Sequence, residues 1–160
     1  MENYIIKQLK FIRENTVSAV KGIDDEISMI IPEGFNNNIK WNLGHIYVVQ
    51  ERFAFHFIGE KMEIPDCFNE LFDPRTQPAK WEKQTPSINE LIDLLVYQTI
   101  RIESLLASRM KEVVKEPYTT SAGLTLATVE EFLSFCLYHE GMHFDAIKSI
   151  KRIVQSQHKI

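Results

Sequence analysis

The chain has 160 residues, 44% of them hydrophobic, with 18 Lys and Arg against 22 Asp and Glu for a net charge of −4. That length fits one domain, residues 1–160, with apolar content enough for a core; the interspersed charges form no basic stripe for nucleic acid, and no window approaches the roughly 20 apolar residues that span a bilayer. Two cysteines exclude a disulfide framework, and the N-terminus lacks a signal peptide's uninterrupted apolar core, so the expectation is a soluble, cytoplasmic protein.

Four stretches carry helical periodicity, and strand-type alternation is scarce. The first covers roughly residues 2–22, where Ile5, Leu9, Ile12, Thr16 and Ala19 form a three-four stripe and Gly22 supplies a stop. The second runs from about Asn38 to Gly59 and is apolar around most of its circumference, as suits a helix covered on several sides. Its Phe53, Phe55 and Phe57 read equally well as core or as dimer surface. A proline-containing link of about 26 residues follows, long enough to return along a helix of about 30 Å. It predicts a crossover that makes the second and third helices parallel neighbours or diagonal partners, with "FNELF" as a short helical turn inside it.

The third helix opens at Ser87, which has capping-box spacing to Glu90, and continues through Leu91, Leu95, Ile102 and Leu105 to about Met110. The next link, "KEVVKEPYTTSAGLTLA", has some alternation and reads as extended chain or a small hairpin. The fourth helix opens at Thr128, again with capping-box spacing to Glu131. Its stripe runs Val129, Phe132, Cys136, His139, His143, Ala146, Ile150, Ile153, which is the pattern of an inward seam. Lys148, Lys151 and Arg152 complement the dipole toward its end. The expected fold is all-α: a four-helix bundle with a long crossover between helices 2 and 3.

Within the fourth helix, His139-Glu140-Gly141-Met142-His143 spells H-E-x-x-H, the helical signature of zinc peptidases. Imidazoles at i and i+4 share a face and can share an ion. A peptidase also needs a third ligand, usually downstream, and a Glu facing the metal-bound water. The 17 residues after His143 contain no Glu, the metzincin third-ligand position is Ser149, and His158 lies about 22 Å further along a continuous helix. The peptidase reading is therefore disfavoured.

A third ligand must come from upstream, and His45 and His56 on the second helix are the candidates. They lie about 16 Å apart along the axis, so one ion can use only one, and spacing alone leaves the choice open. Gly44 removes a side chain beside His45, where two helices, or a helix and an ion, could approach closely. Glu140 is one step off the histidine face: it reads first as a seam-edge carboxylate, and secondly as a partner that bonds a ligand imidazole. Cys136 reads as a small core hydrophobe, Tyr138 and Met142 as packing residues, and His56, His158 and Cys67 as ordinary.

Three segments carry a family resemblance. "NNNIKWNLGHI", "ELFDPRTQP…W…TPSINELIDLL" and "GLTLATVEEFLSFCLYHEGMHFDAI" resemble the helix 2 entry, the crossover and the helix 4 signature of the DinB-like superfamily. The resemblance implies a four-helix bundle, often dimeric, that holds a divalent metal, frequently zinc or nickel, on a histidine triad. By position the ligands are His45, His139 and His143. One departure is Asp145-Ala146, where many members carry a Gly-Gln pair. Branches that use bacillithiol or mycothiol imply a metal-dependent thiol S-transferase or detoxification enzyme acting on a small molecule, with a low-molecular-weight thiol as cosubstrate. The alternative is a non-catalytic metal- or ligand-binding stress-response protein. The resemblance further implies a homodimer; the charge pattern and the short apolar windows leave neither nucleic acid nor membrane as an expected partner, and no catalytic residue is assigned.

Overall fold

The computed structural model describes residues 3–158. Four long helices dominate it: α1 (Tyr4–Ala19), α3 (Ile39–Ala54), α5 (Ile88–Leu106) and α6 (Val129–His158). Two short helices, α2 (Asp25–Ser28) and α4 (Phe68–Phe72), lie in the links, and the hairpin of β1 (Val113–Thr119) and β2 (Thr125–Thr128) precedes α6. Helix α4 is the expected "FNELF" turn, and the hairpin is the expected extended link; α2 was not anticipated. Its signal was local, since the Asp24 carboxylate accepts from the Ile27 N–H at 2.8 Å as an N-cap. The position before Asn3, where the first helix was expected to begin, lies outside the described residues, as does the His158 side chain. No helix among the described residues is long and apolar enough to cross a membrane.

The helix boundaries follow capping chemistry. The Asn38 side chain accepts from the Trp41 N–H at 2.8 Å and starts α3. Ser87 and Glu90 form the complete reciprocal box at the start of α5. At α6 the Glu131 carboxylate accepts from the N–H groups of Ala127 and Thr128, at 2.6 and 3.0 Å. Helix α3 stops at Ala54, short of the expected Gly59, because Phe55 leaves helical geometry and a 3₁₀ turn, His56–Ile58, follows. Gly59, at φ +85°, closes that turn. Helix α5 likewise ends at Leu106, before the expected Met110.

Each long helix packs mainly on two others, α1 and α3 both contacting α5 and α6. The bonded pairs give their directions. Glu51 of α3 meets Arg101 of α5 while Ile39 and Ile88 share one cluster, so these two run parallel, as expected for helices joined by a crossover. Arg13 meets Glu140, and Ala19 accepts from Lys151, so α1 and α6 run parallel too. The pairing of Lys10 with Glu103 and of Arg13 with Leu95 sets α1 against α5.

The core is divided. One cluster gathers Leu43, Tyr47, Leu91, Leu95, Ile147 and Ile150; the other gathers Leu9, Phe53, Phe55, Ile102, Leu106 and Phe132. Between them, along all four helices, lies a layer of buried polar side chains: Arg13, Gln50, Glu51, Gln98, Arg101 and Glu140. This corrects three expected stripes. In α1 the buried line is Ile6, Leu9, Arg13, Thr16, with Ile12 half-buried. In α5 it includes Gln98 and Arg101, while Leu105 is exposed. In α6 it passes through Cys136, Glu140, Ile147 and Ile150, which leaves His139 and His143 half-buried beside the seam. The physical reason is a shared one: buried cations demand buried acceptors, and these outrank the apolar period locally. Of the three aromatics near the end of the second helix, Phe53 and Phe55 are core and Phe57 is partly buried. Tyr138 and Met142, expected to pack, are exposed.

Gly44 permits a close approach of α4 to α3. A Cβ there would overlap the ring of Phe72, so α4 seats directly on the α3 backbone. Gly44→Ala is expected to destabilise by about 1–3 kcal/mol through this overlap. Gly141→Ala, where a Cβ would meet nothing within 4 Å, is expected to stabilise by up to about 1 kcal/mol through helix propensity. Urea unfolding midpoints of the two variants check this; a Gly44→Ala protein as stable as the parent would sink it.

Candidate metal centre

The α3–α6 edge brings three imidazoles together at the level of the polar layer. His45 comes from α3, and His139 and His143 come from successive turns of α6. Ring centroids stand 5.1 Å apart for His45–His139, 4.8 Å for His45–His143 and 4.5 Å for His139–His143. One ring nitrogen from each lies within 4.8 Å of the other two. These are the three histidines identified by resemblance. His56 is elsewhere, exposed on the turn after α3 with its ring against Phe57.

Two of the rings have assigned orientations. His45 Nδ1 lies 2.7 Å from the Phe72 carbonyl oxygen, which can only accept, so Nδ1 carries the proton and Nε2 keeps its lone pair. Trp41 stacks on the same ring at 4.4 Å and 12°, and its Nε1–H is tied to Thr76 Oγ1 at 2.8 Å. His143 Nδ1 lies 2.8 Å from Asn42 Oδ1. The Asn42 amide nitrogen donates to the Asn38 carbonyl at 2.8 Å, which turns Oδ1 toward the imidazole as acceptor. His143 thus also keeps its Nε2 lone pair. Anchoring the far nitrogen in this way is the usual arrangement for a histidine that ligates metal.

Electrostatics keeps the cluster neutral. Burial pushes His139 down to about 2, with His143 and His45 adding repulsion. Burial, then His45, pushes His143 down to about 4. Burial also lowers His45, against the raising effect of its Phe72 bond. Three neutral imidazoles present lone pairs, not protons, near neutral pH. Cys136, one turn before His139, is fully buried and its thiol is pushed up to about 12 by burial, so it behaves as the expected small core residue.

The donor set fits a divalent ion. Three nitrogens within 4.8 Å of one another lie within about 2.8 Å of a common centre, so ring rotations of under about 1 Å reach the 2.0–2.1 Å of a zinc–imidazole bond. Three protein ligands leave a coordination position open. Glu140 stands apart from this chemistry. It is 1% exposed, and its oxygens accept from Arg13 Nε at 2.9 Å and Nη2 at 3.0 Å. It bonds none of the three imidazoles among the described residues; Phe72 and Asn42 take the place considered for it. Neither partner was read from the sequence: Asn42 sits one turn before His45 but bonds His143, 101 residues away, and the Phe72 carbonyl is a backbone group.

The three imidazoles link folding to pH. The depressed values favour the neutral imidazoles in the folded state, and the unfolded state titrates at 6.5. Their contribution to stability is full above pH 6.5 and is lost as pH falls toward about 4 for His143 and about 2 for His139. Metal-free protein should therefore lose stability from pH 7 to 4.5 more steeply than metal-free His139→Gln. Equal slopes in urea titrations at the two pH values would count against it.

Comparison with known proteins agrees with this frame. A family model described as the DinB superfamily matches residues 8–147. The crystal structure of a conserved protein from Enterococcus faecalis superposes with a TM-score of 0.69 over 98% of this chain and 99% of that one, at 12% identity, a likeness that speaks to fold alone. Among curated proteins none matches the sequence. With the family model spanning most of its length, the chain belongs to the DinB superfamily.

Proposed function

We propose that this protein is a four-helix bundle of the DinB type that holds one divalent cation, zinc or nickel, on His45, His139 and His143. The supporting observation is the convergence of three neutral imidazoles from two helices, two of them with Nδ1–H tied to protein acceptors and Nε2 free. A closed structural site usually takes four protein ligands, so three favour a site that receives a further ligand. Bound there, the cation supplies positive charge that lowers the pKa of a thiol or water in the open position.

The reaction class we favour is transfer of a low-molecular-weight thiol to a small electrophile: a sulfur–carbon bond forms, the leaving group departs with the bonding electrons, and the thiol proton passes to solvent. The family resemblance motivates this chemistry. A groove of about 490 Å³ beside the centre supports a small-molecule substrate: Leu124, Leu126, Phe135 and Tyr138 line it together with Thr120, Thr125, Glu131 and Ser134. None of the three histidines lines it, and its wall residue Phe135 stands 6.3 Å from His139 between ring centroids. A second reading, a non-catalytic metal- or ligand-binding protein, is favoured by one observation: Arg13 occupies both oxygens of Glu140, the carboxylate of the H-E-x-x-H motif, which bonds none of the three imidazoles. The exposed Val96, Tyr97 and Ile100 on α5 suit a homodimer.

Elemental analysis of untagged protein tests the site. About one zinc or nickel per chain is expected, lost in His45→Ala, His139→Ala and His143→Ala and kept in His56→Ala; retention in His45→Ala overturns the ligand set. Light scattering on the same samples should give twice the chain mass, and a monomer mass removes the dimer. Mass spectrometry of loaded protein with a panel of low-molecular-weight thiols and 1-chloro-2,4-dinitrobenzene separates the two readings. Conjugation faster than with free metal supports the transferase, and none across the panel leaves the binding protein.

A further inference from the structure

His139 differs from its two companions in what holds it. His45 and His143 are each fixed by an Nδ1 hydrogen bond, to Phe72 and to Asn42. His139 makes no hydrogen bond to any described residue; the rings beside it are those of His45, His143 and Phe135. Its position is therefore set by the rotation of α6 about its own axis. The residue that follows it, Glu140, is gripped on both oxygens by the guanidinium of Arg13. That guanidinium also donates to the Leu95 carbonyl on α5 and to the Gln50 side chain on α3, and at 3.3 Å to Gln98. One planar fork thus ties α6 to the three other long helices beside the least anchored imidazole.

Magnitudes show why rotation matters. An imidazole nitrogen sits about 6–7 Å from its helix axis, so a roll of about 20° moves it about 2 Å. Metal–ligand distances tolerate only about 0.2 Å. Apolar packing alone permits small rolls, because a leucine seam has no preferred direction at that resolution, whereas a two-bond Arg–carboxylate contact does. Nor is such a pair an efficient source of stability, since well-packed apolar residues of the same volume often serve as well or better. What it supplies here is direction.

We infer that Arg13, acting through Glu140, is a positioning residue of the metal centre: it fixes the roll of α6 that aims His139 at His45. This rests on the metal reading above. The test uses untagged full-length protein titrated with Co(II), followed by visible absorption, alongside thermal unfolding of the metal-free form. Arg13→Met/Glu140→Leu is expected to fold but to unfold somewhat below the parent, since the buried Gln50 and Gln98 oxygens lose a donor, to lose about 10–100-fold in Co(II) affinity, and to show altered d–d bands. A folded double variant with parental affinity and bands overturns the inference. Should the double variant not fold, Arg13→Lys decides: it keeps the charge but not the fork, a loss of about threefold or more supports the inference, and parental affinity overturns it. Parent protein that takes up no Co(II) overturns the metal reading itself, a result distinct from any difference between variants.

Discussion

A guanidinium that is 3% exposed among four helices has given up nearly all its water, a loss of several kcal/mol that only well-directed acceptors offset. Arg13 therefore dictates much of its surroundings. It draws Glu140 inward, takes a backbone carbonyl from α5 and an amide oxygen from α3, and so sets the phase in which each helix faces the centre. Gln98 extends the chain of bonds to Tyr47 and Glu51, and Glu51 in turn holds Arg101 and the Glu63 N–H of the link beyond α3. Burial raises the Glu51 carboxyl, and its bonds to the Glu63 N–H, Gln98 and Arg101 oppose that effect. The apolar core is split into two clusters because this layer occupies the level between them.

The same burial serves the histidines with opposite effect. Where a carboxylate and a guanidinium can neutralise each other, three imidazoles cannot, so each sheds its proton and becomes a donor of electrons. The spelling H-E-x-x-H therefore carries two unrelated tasks on one helix. His139 and His143 face α3, while Glu140, about 100° around, faces α1 and is consumed by a cation there. In a zinc peptidase the central Glu would face the metal-bound water; here a partner 127 residues away in sequence turns it to structural use.

Much of the frame was legible because it depends on local rules. Helical period, the Ser87–Glu90 box, the length of the link after α3 and the alternation before α6 each express themselves within a few residues. What escaped was non-local. A stripe reading treats Arg13, Gln98 and Arg101 as surface, since nothing near them in sequence shows the acceptors that hold them inside. The seam of α6 was right at Val129, Phe132, Cys136 and Ile150, and one step off at His139, Ala146 and Ile153, where Glu140, Ile147 and Val154 are the buried residues. The break at Phe55 escaped too, although it is what removes His56 from the helix that carries His45. Spacing left those two histidines equal and the resemblance chose His45, which is the one that stands beside His139 and His143.

The segment between α3 and α5 does more than span a distance. At its midpoint the ring of Phe72 rests where position 44 lacks a methyl group, and the carbonyl of the same residue holds His45 by its far nitrogen. A loop that topology needs only as a bridge thereby governs which tautomer His45 adopts. Tolerance to changes of length must be uneven along it: extra residues near the exposed Lys83 and Gln84 leave this contact alone, whereas one inserted within Phe68–Phe72 swings the carbonyl away and frees the imidazole to turn over.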